Sequence, residues 1–475
     1  MNCRLILVLV LLVSVSTASL RALEPVKPPK VFDLAAIDAY IAAHVKEKGL
    51  VGLSVAIMRD GQIVFSKGYG QRSLEKALPM EPDTSFAIAS ITKQFVCACV
   101  LLLAEEGKLS VNDPVAKYFP HLTRAGDITL LDLMNHTAGY PDYYPLDFLD
   151  RRMQRPITLD GMLKQYAGGK LDFEPGSRFS YSNTGYIILG AVIEKVTGQK
   201  CGDFLQTRIL TPLKMQHSKF GTADELPCPA SGYYGFALGP PEPAPPEANG
   251  WVEAAGGLWA SAPDLLRWDL ALVSGQVLKP ESFDLMTAAR KLSTGKRSNY
   301  GCGLSVLVQN GDVVLSHTGG VSGFSSYNGV LPRTKSGLVV LSNTEHISAT
   351  PLRTELFNLL LKDIADSEAV EVPKVAGAEP KEAVLEFLNQ LQAGSVDRSK
   401  LGEEFSFYLS DERVKSARER LKDLGEPDEV EVGAPAERGG MQVVSVKLTF
   451  KTAKLRASMY RSPDGKIEQL LFYGE

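Results

Sequence analysis

The spacing of hydrophobic positions changes several times along the chain, and each change marks an element. Residues 34–49 carry apolar side chains at helical spacing and predict an amphipathic helix. Two apolar, β-rich runs follow, Gly52 to Met58 and Gln62 to Tyr69, separated by Arg59-Asp60-Gly61, a hairpin signal of the Asp-Gly kind. Four more strand candidates lie far downstream at Tyr300 to Val308, Val313 to Thr318, Gly323 to Leu331 and Gly337 to Leu341. Asn310-Gly311 and Pro332 to Ser336 join them, and a helix from Pro351 to Ile364 closes the set. Residues 90–290 are mostly helical patterns, including Leu130 to Asn135, Tyr186 to Thr197 and Ala262 to Val273, with a proline-rich loop at Gly239 to Pro246. Strands from both ends of one segment, with helices at its termini, predict an α/β fold of the α+β type: an antiparallel sheet flanked by helices, with a helical subdomain inserted. The cleft between sheet and subdomain is the natural place for chemistry.

This first domain spans residues 31–366. A stretch rich in Ala, Glu, Val and Pro without periodicity, 367–380, reads as a linker to a C-terminal α+β domain at 381–475. There the pattern predicts helices at 381–393 and 411–424 and strands at 428–433, 441–451, 454–460 and 467–473, with Pro463-Asp464-Gly465 as a tight turn. The domain holds no histidine or cysteine, so packing, dimerisation or extension of the cleft is its expected role.

At the other end, Arg4 precedes nine apolar residues, Leu5 to Val13, and a small-residue stretch, Ser14 to Ala18. That is the layout of a signal peptide within residues 1–22, cut after Ala18 or Ala22. The apolar run falls short of the roughly 20 residues a membrane span needs. The expectation is export, periplasmic or secreted, with no stable membrane span once the signal is removed.

Over 475 residues, 44% hydrophobic and 22% charged content describes a globular protein of two or more domains. A net charge of −4 gives no basic footprint for nucleic acid. The six histidines lack metal-site spacing, so neither a metal nor a cofactor is implied. Beyond Cys3 the cysteines are Cys97, Cys99, Cys201, Cys228 and Cys302, an odd number. Cys97 and Cys99 read as core residues, while Cys201 and Cys228 are candidates for a bridge.

Candidate chemistry begins at Ser90-Ile91-Thr92-Lys93, where a strand-like run, Thr84 to Ile88, meets the apolar stretch Phe95 to Ala104. On a helix, residues three apart are neighbours, so a lysine amine reaches a serine hydroxyl and forms a nucleophile and base pair. Ser73-Leu74-Glu75-Lys76 and Ser293-Thr294-Gly295-Lys296 share the pattern but read as loops. Tyr181-Ser182-Asn183 offers a proton-shuttling hydroxyl, if Lys93 lowers its pKa, and an amide that can hold a substrate amide. His317-Thr318-Gly319-Gly320 ends a strand whose glycines permit close backbone approach to an extended substrate. Lys335-Ser336-Gly337 is a rival triplet, better read as a turn.

These three motifs in this order resemble the serine β-lactamase and penicillin-binding protein superfamily, in the branch of class C β-lactamases and DD-peptidases. Supporting stretches are Ile128 to Gly139, Pro212 to Met215 and Ala255 to Ser261. The resemblance covers about residues 34–366 and implies an acyl-enzyme at Ser90, with Lys93 and Tyr181 sharing proton transfer. It further implies that Asn183, His317, Thr318 and Gly319 bind substrate and that the backbone N–H groups of Ser90 and Gly320 hold the oxyanion. The implied substrate is a small molecule or peptide: a D-amino-acid peptide, a β-lactam, or a related amide or ester. Esterase or D-aminopeptidase activity at the same site, and a penicillin-binding sensor without turnover, are the alternatives. Many class C β-lactamases carry lysine where this chain has His317, and a histidine, mostly neutral at pH 7, attracts a substrate carboxylate less. Arg178 or a residue of the C-terminal domain is the candidate for the missing charge. His136 reads as a structural loop residue.

Overall fold

The computed structural model describes residues 27–29, 32–237, 239–309, 312–346, 349–360 and 372–474. The expected signal peptide, the Asn310-Gly311 turn and residues 361–371 lie outside them. Seven antiparallel strands form the main sheet in the order Leu78–Pro79, Gln62–Ser73, Gly52–Arg59, Ser336–Ser342, Phe324–Leu331, Asp312–Val321, Ser305–Gln309. Strands from the two ends of the first domain thus meet at the centre, where Val55 pairs with Val340.

Alternation along the central strand divides the core. Leu53, Val55 and Ile57 face the helices Leu34–Lys48 and Thr350–Leu360, packing with Ile37, Ile41, Leu352 and Leu356. Ala56 and Met58 point the other way, into the larger core shared with the helices Thr92–Glu105 and Ala262–Val273. Thr92–Glu105 is buried on nearly every face, as its unbroken apolar sequence requires. The helical subdomain, including Asn183–Thr197, packs against it. The fold class expected from the sequence is therefore the one observed.

Two expectations need correction. The strand at Tyr300 to Val308 begins only at Ser305. Gly303 has φ +78, and a Cβ there would sit 2.6 Å from the Lys93 carbonyl oxygen, so residues 300–304 run as a loop pressed against the helix Thr92–Glu105. The Cys201–Cys228 bridge does not form; all five described cysteines are free and buried, Cys97 and Cys99 in the core as expected.

The C-terminal segment builds a second antiparallel sheet, in which Met441–Thr449, Lys454–Arg461 and Ile467–Gly474 pair in sequence. Glu429–Val432 and Ala436–Arg438 both pair with the first of these. The period-2 pattern sends Val444, Val446, Leu448, Leu455, Ala457, Leu470 and Phe472 towards the helices Pro380–Ala393 and Asp411–Leu421. Leu146, Phe148, Phe236 and Ala237 of the first domain enter the same core, so the module is fastened to the first domain by shared packing. No helix among the described residues is long and apolar enough to cross a membrane.

Candidate active site

Ser90 sits in a short 3-10 turn, Ala89–Ile91, that runs directly into Thr92–Glu105. Ala89 takes φ +51, a left-handed conformation costly for a residue with a Cβ, and turns the chain sharply just before the serine. The turn is held in place: Ile88 N–H donates to the Leu258 carbonyl at 3.0 Å, and Ser326 Oγ donates to the Ile88 carbonyl at 2.8 Å. Gly319 lies against it so closely that a Cβ would fall 2.2 Å from the Ile88 oxygen. The close approach at Gly319 is thus to the turn that carries Ser90, where the sequence reading had the glycines approach an extended substrate, while Gly320 faces open space.

Lys93 Nζ is fully buried and lies 3.0 Å from Ser90 Oγ, 2.7 Å from Asn183 Oδ1 and 2.6 Å from the Ala255 carbonyl oxygen. Burial lowers its pKa to about 7; Asp142 opposes that shift and Arg438 adds to it. A neutral amine has two N–H groups and one lone pair. With Asn183 Oδ1 and the Ala255 oxygen taking the hydrogens, the lone pair is left for the Ser90 hydroxyl.

Asp142 fixes this arrangement. Its Oδ1 accepts from the Asn183 backbone N–H at 3.0 Å and from Asn183 Nδ2 at 2.9 Å, which turns the amide oxygen towards Lys93. Nothing in the sequence singled out Asp142, which lies in an irregular loop after Pro141. Tyr181 stands over the same lysine, its ring centroid 5.0 Å from Nζ. Burial raises the phenol above its ordinary value, and the Ser90 hydroxyl and Arg438 only partly offset this. Lys93 does not lower it, contrary to the expectation from the sequence.

His136 is structural, as expected, yet it belongs to the site's support: its Nδ1 accepts the Ser182 N–H at 3.1 Å and its ring lies tilted against Tyr181, with centroids 4.2 Å apart. His317 is only 6% exposed. Nδ1–H donates to the Thr318 carbonyl, which leaves Nε2 to accept from the Tyr300 hydroxyl at 2.8 Å. Burial, then the Lys93 charge, lowers its pKa to about 3, so the ring is neutral at physiological pH. Tyr300 comes from the loop that the sequence read as strand.

Ser90, Tyr181, Asn183, His317, Thr318, Gly319 and Gly320 line one cleft of about 610 Å³. The C-terminal sheet lines the same cleft with Val443, Ser445, Arg456, Ser458 and Tyr473, and with Glu437 and Arg438, whose Cζ lies 6.0 Å from the Tyr181 ring centroid. Of the two sources of charge considered, Arg178 does not line the cleft and instead stacks on Phe173, whereas Arg438 does. Arg438 lies on the strand Ala436–Arg438, missed from the sequence because it is three residues long. The signal was present in Gly439-Gly440, both at positive φ, a two-residue hairpin turn directly before a strand.

The Beta-lactamase family profile matches residues 37–360. The chain belongs to the Beta-lactamase family. Protein flp of Staphylococcus aureus (strain MW2) is 28% identical over 317 residues, 65% of this chain and 62% of its own length. The chain thus matches less than two thirds of that relative. A D-amino acid amidase from Ochrobactrum anthropi SV3, solved with L-phenylalanine amide, has a TM-score of 0.58 at 25% identity, covering 69% of this chain and 97% of its own. The octameric penicillin-binding protein homologue from Pyrococcus abyssi has a TM-score of 0.62 at 23% identity, a likeness of fold. It covers 93% of this chain and 99% of its own, so that likeness runs through the C-terminal module as well as the Beta-lactamase domain.

Proposed function

We propose that this member of the Beta-lactamase family is an exported serine hydrolase that forms an acyl-enzyme at Ser90 on D-amino-acid peptides, β-lactams or related amides and esters. The observation that carries the reading is the 3.0 Å approach of Lys93 Nζ to Ser90 Oγ, with the other two lysine contacts already assigned to fixed acceptors. Ser90 Oγ attacks the acyl carbon and its proton passes to the Lys93 lone pair. The N–H groups of Ser90 and Gly320 hold the developing oxyanion, a contribution worth roughly 3–4 kcal/mol per donor in comparable sites. Tyr181, kept neutral by burial, gives its proton to the departing amine or alkoxide and takes one back from Lys93. Water then repeats the sequence in reverse: it yields a proton to the Lys93 and Tyr181 pair, attacks the ester carbonyl and frees Ser90.

Asn183 holds the substrate amide while keeping Lys93 oriented, and the strand through Thr318 and Gly319 binds extended substrate by its main chain. A neutral His317 offers no charge to a substrate acid, which makes β-lactams one class among several. The likeness to a D-amino acid amidase supports including amides. Labelling with a fluorescent penicillin and with a fluorophosphonate tests the reading: wild type should be marked and Ser90→Ala should not, and equal marking of the two removes Ser90 as nucleophile. A screen of D-Ala-D-Ala peptides, D-amino-acid amides, a chromogenic β-lactam and p-nitrophenyl esters then ranks the acyl groups.

A further inference from the structure

The positive charge available to a substrate in this cleft comes from the C-terminal module. Two basic side chains of the first domain stand at the reaction centre, and neither has a hydrogen-bonding position free for a substrate acid. Lys93 has all three of its contacts in use, and His317 is neutral with both ring nitrogens occupied. The cleft-lining arginines are Arg438 and Arg456.

Their situations differ. Arg438 Nη1 donates to Asp147 Oδ1 at 2.8 Å and to the Tyr460 hydroxyl at 3.1 Å. Asp147 Oδ2 is occupied by Tyr460 at 2.6 Å and Gln469 at 3.0 Å, so this acid is already satisfied. Arg438 Nε and Nη2 bond to no protein group among the described residues. Arg456 has no carboxylate at ion-pair distance among those residues; it rests on the Tyr473 ring, 5.4 Å from the centroid, and its Nε is buried without a hydrogen-bond acceptor. Its charge also acts on a like neighbour, Arg353. Arg456 lines the cleft with no carboxylate at ion-pair distance among the described residues, and its planar fork suits a carboxylate.

Of the acids nearby, Asp147 offsets Arg438, and none is paired with Arg456 among the described residues. Burial lifts Glu345 to a pKa of about 8, so it is mostly protonated at neutral pH. Glu437 Oε1 accepts from Ser180 Oγ and the Gly440 N–H at 2.8 and 2.9 Å, while its Oε2 has no hydrogen-bond partner among the described residues.

We propose that Arg456, assisted by the free N–H groups of Arg438, binds a carboxylate of the substrate, so that the C-terminal module selects acyl compounds bearing a free acid. This inference rests on the acyl-enzyme reading at Ser90. It assigns to the module the recognition role left empty by a neutral histidine in the His-Thr-Gly triplet.

The test compares kcat/KM for matched esters that differ only in charge. One pair places the acid on the acyl side, the p-nitrophenyl hemiester of glutaric acid against p-nitrophenyl pentanoate. The other places it on the leaving group, the acetate ester of m-hydroxybenzoic acid against phenyl acetate. Wild type should favour the acid in one pair by roughly ten-fold or more, the scale of a charged hydrogen bond. Arg456→Gln should remove most of that ratio and Arg456→Lys should keep part of it. The preference should also fade as salt is raised to about 0.5 M. Equal rates within both pairs, an unchanged ratio in Arg456→Gln, or preference for the p-nitrophenyl ester of D-alanine with its ammonium group would each overturn the proposal, the last pointing to Glu437. If Arg456→Gln fails to fold, Arg456→Lys and the salt dependence decide. Fluorophosphonate labelling of Ser90 in the same samples separates the two readings: labelled Ser90 without an acid preference sinks only the carboxylate site, and absent labelling sinks both.

Discussion

Lys93 is a buried amine whose charge is set by its surroundings. Holding its pKa at about 7 instead of 10.5 disfavours the charged form by roughly 5 kcal/mol. In the proposed mechanism Lys93 must be neutral to accept the Ser90 proton, so kcat/KM should rise as pH increases through about 7 and level off above it, and Lys93→Arg should lose this limb along with activity. Two neighbours should move the limb in opposite directions. Arg438→Gln removes a positive charge, favours the ammonium form and shifts the limb to higher pH. Asp142→Asn removes a negative charge and shifts it lower, while also freeing Asn183 to rotate and lowering the plateau. Matching shifts in one direction, read from pH–rate profiles, would contradict this electrostatic account. Stability follows the same group: its folded pKa lies below the unfolded value, so the unfolded chain binds more protons between about pH 7 and 10.5, and the folded state gains stability as pH rises across that window. Melting temperatures of wild type relative to Lys93→Met should diverge in favour of wild type over this range. Ser90, Lys93, Tyr181, Asn183 and His317 were legible because each stands in a short motif whose chemistry is local. Asp142 and Tyr300 were not, since they arrive from loops without periodicity and their roles exist only once the chain has folded back on itself.

Among elements, the strand Asp312–Val321 and the turn before Thr92–Glu105 are set by contact between two backbones. Gly319→Ala would place a methyl group 2.2 Å from the Ile88 oxygen and 2.4 Å from Ser326 Oγ. The strand must move, and a displacement near 1 Å costs on the order of 100-fold in rate. The expected result is a loss of that size in kcat/KM together with about 1–3 kcal/mol of stability by chemical denaturation. An active, fully stable Gly319→Ala would show that the strand position does not matter. Long periodic elements, such as Thr92–Glu105 and the central strands, were read correctly because burial imposes a pattern over many residues. The start of Ser305–Gln309 was misread because apolar residues before it are buried in a loop, and the pattern alone does not separate buried loop from buried strand. Ala436–Arg438 was missed because three residues, two of them charged, carry no period.

At the scale of the whole molecule, the C-terminal module is both a packing partner and a wall of the catalytic cleft. Leu146, Phe148 and Phe236 complete its core, and Asp147 is gripped by Arg438, Tyr460 and Gln469. Ending the chain before residue 372 would bare those apolar side chains. The truncated protein should aggregate or melt well below the full chain, as light scattering and thermal melts would report; a soluble truncation with wild-type melting would mean the interface contributes little. The sequence allowed three roles for the module, and packing and extension of the cleft are the two the structure displays. That choice could not come from the sequence, because the wall residues are single polar positions on alternate sites of ordinary strands.

Alternation along Met441–Thr449 and Lys454–Arg461 separates two kinds of evolutionary freedom. Val443, Ser445, Arg456 and Ser458 meet the cleft, while the residues between them build a core that tolerates little change. On the proposed reading, mutations at the polar outward sites retune what the enzyme accepts while leaving the reacting groups, which all sit in the other domain, in place; Val443 also packs against the core. A saturation library confined to those four codons is therefore a compact route to altered substrate range, with the chemistry at Ser90 held constant.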